Sequence, residues 1–199
     1  MTNSQVITGN GDHHVVALHG WFGSARGWGS LPDYLDGSAF TYAFMDLRGY
    51  GDRKQVPGDF TMAEVAADAI AFADDLAWDT FSLVGHSMSG QAIQHVLLQA
   101  PARVRRLVGL NPVPAVATPF DEDGWGLFSG AAANRGNQAA VKVIVGEHDP
   151  ALSAAVMEQT WLAFYPNAEL EVLANAGHYP MFETPVALAT SIEEFLGRA

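Results

Sequence analysis

FSLVGHSMSGQAIQHVLLQ, residues 81–99, changes character at its middle. Phe81 to His86 form a short apolar run of strand type, and Gln91 to Gln99 form a helical stretch. Ser87 falls at the junction. A strand that turns sharply into a helix at a serine lifts the hydroxyl clear of the sheet and sets it at a helix N-terminus. The residues two before and two after must be small, because the strand and helix backbones nearly touch. Gly85 and Ser89 meet that demand, and Gly90 relieves crowding further. Small-x-Ser-x-small is common by chance, so the weight of Ser87 depends on what the chain brings beside it.

The alternation continues outward. HVVALH (14–19), FTYAFMDL (40–47), RLVGL (106–110), VKVIVG (141–146) and LEVLA (170–174) are further buried-strand candidates, bounded by Gly, Pro, Asp or Asn. Over 62–77, Val65, Ala66, Ala69, Ile70, Phe72, Ala73 and Leu76 recur at three- and four-residue steps and make one apolar stripe. Thr61 with Glu64 reads as a capping box for that helix. Thr184-Pro185 reads as a cap and first position of the last helix. Apolar strands separated by helices predict an α/β fold with a mainly parallel central sheet of about 6–8 strands, helices on both faces, and one domain over residues 1–199. In such a sheet, reactive groups sit on loops at the carboxyl ends of the strands.

Four loops pass that test. Ser87 is one. His178, in NAGHYPMFETP after LEVLA, stands where a general base is wanted, although a lone histidine is more often structural. Asp149, in GEHDP after VKVIVG, is the matching carboxylate or else a turn residue before Pro150; Glu147, nearer the strand, competes with it less well. The order Ser87, Asp149, His178 is the hydrolase order. The fourth loop is HGWFGS (19–24). A serine nucleophile makes an oxyanion that needs two N–H donors, expected from the backbones of Met88 and Trp21. Phe22, Trp125, Phe128 and Tyr179 are the candidate pocket residues.

Other polar residues invite plainer readings. In DLRGYG (46–51), Asp46 and Arg48 are expected to fix a turn. His13-His14 and Glu147-His148-Asp149 lack the separated ligand set of a zinc site, so no metal is expected. His86 is expected to pack away from the nucleophile.

Together HGWFGS, DLRGYG, GHSMSG, GEHD and AGHYPMFETP resemble, in order and nearly end to end, the motifs of the α/β-hydrolase superfamily. An HGW loop paired with Ser-Met at the elbow is similar to the esterase and cofactor-free haloperoxidase branch. That resemblance implies Trp21 and Met88 as oxyanion donors, and Ser87 sets the chain apart from the branches that use an aspartate nucleophile. It implies a helical cap as well, but the interval 111–140 is short and rich in Gly, Ala, Pro and Asn. A minimal lid is expected there, natural or left by removal of a cap. The other departure is Ser89, where the pattern has glycine.

The 199 residues carry 22 acidic and 10 basic side chains and a formal charge of −12. That field repels phosphate backbones, so no nucleic-acid partner is expected. No window is apolar enough for a membrane span, and the N-terminus lacks the pattern of a secretory signal. With no cysteine there is no disulfide or thiolate site, which suits a cytoplasmic protein. The reading is a serine hydrolase without cofactor acting on a small-molecule ester, with monomer and homodimer both open. Lactone, carbon–carbon or peracid chemistry on the same triad, and a ligand-binding or inert scaffold, stand as alternatives.

Overall fold

A computed structural model describes residues 5–114, 139–165 and 167–198. Its frame is a seven-stranded sheet: β1 (Gln5–Gly9), β2 (His13–Leu18), β3 (Phe40–Met45), β4 (Phe81–His86), β5 (Val104–Leu110), β6 (Ala140–Gly146) and β7 (Glu169–Leu173). The spatial order is β1-β3-β2-β4-β5-β6-β7. Every neighbouring pair is parallel except β1 with β3. The six expected strands are all present. β1 is the addition: its short QVITG run leaves Ile7 exposed on an edge, so it carries no apolar block to read.

Successive side chains on each strand supply two cores, as the period of two requires. Val16 and Leu18 of β2, Ala43 and Met45 of β3, and Leu83 of β4 face one side, under α1 (Met62–Asp75) and α2 (Ser89–Gln99). Val15 and Ala17, Tyr42 and Phe44, and Val84 face the other, under the final helix. Three short helices precede that last one: α3 (Ala154–Gln159), α4 (Trp161–Phe164) and α5 (Pro180–Glu183); α6 spans Pro185–Leu196.

α1 buries Val65, Ala66, Ala69, Phe72 and Ala73, the stripe read from the sequence. Thr61 accepts from the Glu64 N–H at 3.1 Å, but the Glu64 carboxylate reaches back to the Phe60 N–H at 2.8 Å instead of to Thr61. The capping box is thus displaced by one residue. Thr184 does not act as expected either: its hydroxyl caps nothing and is buried without a partner. Pro185 is indeed the first residue of α6 and presets its φ.

β5 ends at Leu110 and β6 begins at Ala140. The 29 residues between them are fewer than the roughly 50 of a small independent domain, so the fold carries little cap. Among the described residues, no helix is long and apolar enough to cross a membrane.

Candidate active site

Ser87 leaves β4 with φ +52, a left-handed conformation that costs a non-glycine residue energy and persists only where its surroundings impose it. Here they do. The Ser87 N–H donates to the Leu110 carbonyl at 3.0 Å, and the Ser87 carbonyl accepts from Gly90 and Val113, each at 2.9 Å. A Cβ on Gly85 would lie 2.6 Å from the Ser89 carbonyl oxygen, so the strand meets the helix with no room for a side chain. Gly90 is closed off in the same way by Pro112, at 2.4 Å. Ser89 is fully buried, and its Oγ donates to the His19 carbonyl at 2.6 Å. Its hydroxyl therefore ties the elbow to the loop after β2, a tie that glycine could not make.

His178 stands on the loop after β7. Its Nδ1 lies 2.7 Å from Asp149 Oδ2 and its Nε2 lies 3.1 Å from Ser87 Oγ. A carboxylate only accepts, so Nδ1 carries the proton and Nε2 is free to accept from the serine. Asp149 is buried at the end of β6. Burial alone would raise its carboxyl, but hydrogen bonds from His178, Ala151, Leu152 and Asn111 outweigh it and hold the group below its ordinary value. Glu147 turns outward, accepting from the Asn175 N–H at 3.1 Å.

Three residues hold this loop in ways that the sequence reading did not anticipate. Asn111, buried at the end of β5 with φ +41, donates from Nδ2 to Asp149 Oδ2 at 2.7 Å and to the Gly177 carbonyl at 3.3 Å. His86, expected only to pack, places Nε2 2.8 Å from the His178 carbonyl. A carbonyl requires a donor, so Nε2 bears the proton. Burial is the main cause that lowers its pKa to about 4, which keeps the ring neutral. The Glu183 carboxylate accepts the Gly177 N–H.

The loop after β2 is fixed by a third histidine. The Leu47 N–H donates to His19 Nε2 at 3.2 Å, which leaves Nδ1 as donor to the Gly20 carbonyl at 2.8 Å. Burial lowers the pKa of this ring too. Because a trans peptide points its C=O and N–H in opposite directions, holding the Gly20 carbonyl also aims the Trp21 N–H. Among the described residues, no hydrogen bond occupies the backbone N–H of Trp21 or Met88. Gly20 packs against His86 and Ser87, where a Cβ would sit 2.6 and 2.9 Å from their atoms.

Phe22 (φ +60) is 88% exposed and stacks on Trp21. With Tyr179, Met181 and Phe182 these two line a cavity of about 310 Å³. A second cavity, about 450 Å³, opens beside Met88. Trp125 and Phe128 lie outside the described residues. Asp46 fixes its turn, accepting from Ala25 at 2.7 Å and Asp52 at 2.9 Å, and Arg48 pairs with Asp68. His13 is bonded to Ser82 and His14 stacks on Trp78.

Comparison with known proteins agrees with this architecture. A pimeloyl-[acyl-carrier protein] methyl ester esterase of Salmonella heidelberg is 36% identical over 118 residues, which cover 59% of this chain and 42% of that protein. The chain thus matches under half the length of that relative. A thermophilic esterase from Thermogutta terrifontis superposes with a TM-score of 0.80 at 20% identity, over 98% of this chain and 92% of the other. The protein BpoC of Mycobacterium tuberculosis H37Rv, assigned as a non-heme bromoperoxidase, superposes with a TM-score of 0.79 at 19% identity, over 100% and 97%. At those identities the likeness is one of fold. Residues 13–134, more than half of the chain, match the profile of the alpha/beta hydrolase fold, and the chain belongs to that family.

Proposed function

We propose that the chain is a serine esterase acting on small-molecule carboxylic esters. The observation that carries this reading is the unbroken run of hydrogen bonds from Ser87 Oγ through His178 to the buried Asp149. His178 Nε2 takes the Ser87 proton as Oγ attacks the ester carbonyl, and Asp149 stabilises the imidazolium and its tautomer. The oxyanion accepts from the Trp21 and Met88 N–H groups. His178 then protonates the leaving alcohol, and a water activated by the same nitrogen hydrolyses the acyl-enzyme. The reduced lid expected over 111–140 lies mostly outside the described residues; the 29 residues between β5 and β6 leave room for a small lid at most, so the site confines its substrate weakly and accepts exposed esters.

Turnover of para-nitrophenyl butyrate by the wild type and by Ser87→Ala tests the reading. The variant is expected to lose about 10⁴-fold or more in kcat while keeping its circular-dichroism spectrum. Equal rates in the two proteins would remove Ser87 from the reaction.

A further inference from the structure

One cavity is lined by the residue that follows His178, and the other by the residue that follows Ser87. For His178 to protonate the leaving oxygen, the alcohol must lie on the histidine side. Tyr179, Met181 and Phe182, which follow His178, line the first cavity. The second cavity contains Met88 but no residue of the histidine loop, so on the esterase reading it is the side left for the acyl chain.

Its wall is mostly apolar: Leu47, Tyr50, Phe60, Met62, Val65 and Met88. Phe60 is held at φ +55 with its ring over Gly49, whose absent Cβ would come within 3.0 Å of it. Two cations share the lining, Arg48 and Lys54. They differ in one respect. Arg48 is engaged by Asp68 at 2.7 Å and Glu64 at 3.3 Å, whereas Lys54, exposed at the rim, has no ion pair or side-chain hydrogen bond among the described residues. Acidic side chains outnumber basic ones 22 to 10. Lys54 is thus the lining cation free to meet an anion that enters this apolar cavity.

We infer that Lys54 selects esters whose aliphatic acyl chain ends in a carboxylate: the chain fills the cavity beside Met88 and the terminal anion pairs with the lysine. The overall negative field repels anions at a distance, so the preference is local and short-ranged. This inference rests on the esterase reading.

The test compares para-nitrophenyl hexanoate with mono-para-nitrophenyl adipate, which differ only in the chain end, in wild type, Lys54→Met and Lys54→Arg. For an exposed pair, the ratio of kcat/KM, adipate over hexanoate, is expected to fall about three- to five-fold in Lys54→Met and to survive in Lys54→Arg. The repulsion of the whole chain acts on both proteins alike, so adding sodium chloride should narrow the gap between the wild-type and Lys54→Met ratios. Equal ratios in wild type and Lys54→Met at low salt, with hexanoate still turned over, overturn the assignment of Lys54 and leave the esterase reading intact. Failure of the wild type to turn over either ester overturns both.

Discussion

Ser87 and His178 face each other at 3.1 Å, yet the backbones that carry them are held by unlike means. The elbow is held chiefly by contact: Gly85 and Gly90 sit where no Cβ fits. The histidine loop is also met closely, by Gly146, but it adds side-chain hydrogen bonds, donated by His86 and Asn111 and accepted by Glu183. Close packing fails when an atom is added. A hydrogen-bonded loop fails when a donor is lost or a proton is gained.

The largest expected effect tests that contrast directly. A Cβ on Gly85 meets backbone, the Ser89 oxygen at 2.6 Å, which cannot move without shifting α2. A Cβ on Gly177 meets only the end of the Glu183 side chain at 3.2 Å, which can give by a few tenths of an ångström and keep its bond to the Gly177 N–H. Gly85→Ala should cost about 3 kcal/mol, lowering the thermal midpoint by roughly 6–12 °C for a chain of this size. Gly177→Ala should stay within about 0.5 kcal/mol. Similar midpoints for both variants would break the distinction between the two regions.

Protons should separate the regions next. His86 has its pKa lowered to about 4, chiefly by burial, against 6.5 for a free histidine. Between those values the unfolded chain binds a proton that the folded chain refuses, so stability falls as pH falls across that window. Below about 4 both states are protonated and the loss is complete. The full difference is about 3 kcal/mol. His13, also lowered to about 4, acts in the same direction over the same window. His86→Gln keeps a donor without a titrating ring, so urea unfolding at pH 7 and pH 4 should show a smaller loss than in wild type. An equal loss would mean that the ring is not what makes the loop acid-sensitive.

The same contrast decides what could be read from the chain. The steric demand on Gly85 acts within a few residues, against Ser89, so Gly85 and Ser87 announce themselves in one short stretch. The turn made by Asp46 is legible for a like reason, since one of its partners, Asp52, is six residues away. Two of the supports of the histidine loop span much longer separations, 92 residues from His86 to His178 and 66 from Asn111 to Gly177. A hydrogen bond from a side chain to a distant carbonyl leaves no period or motif in the sequence. Only the place of Asn111, at the carboxyl end of a strand and before Pro112, hinted at a role there. β1 was illegible because an edge strand with an exposed face needs no apolar run.

Ser89 crosses the divide, and the smallest predicted effect sharpens it most. It belongs to the contact-held elbow, but its Oγ donates to a carbonyl 70 residues earlier in the chain. That carbonyl belongs to His19, whose ring fixes the Gly20 peptide and so aims the proposed donor Trp21. Ser89→Ala removes only the hydroxyl and leaves the His19 oxygen buried without this partner. The cost should be about 1 kcal/mol, or roughly 2–4 °C in midpoint. If the tie positions the oxyanion loop, kcat should fall several-fold with KM nearly constant, because the Trp21 N–H acts on charge that develops only in the transition state. If Ser89→Ala matches the wild type in both midpoint and kcat, the hydroxyl is merely accommodated, and close contact with the backbone bonds of Ser87 holds the elbow without it.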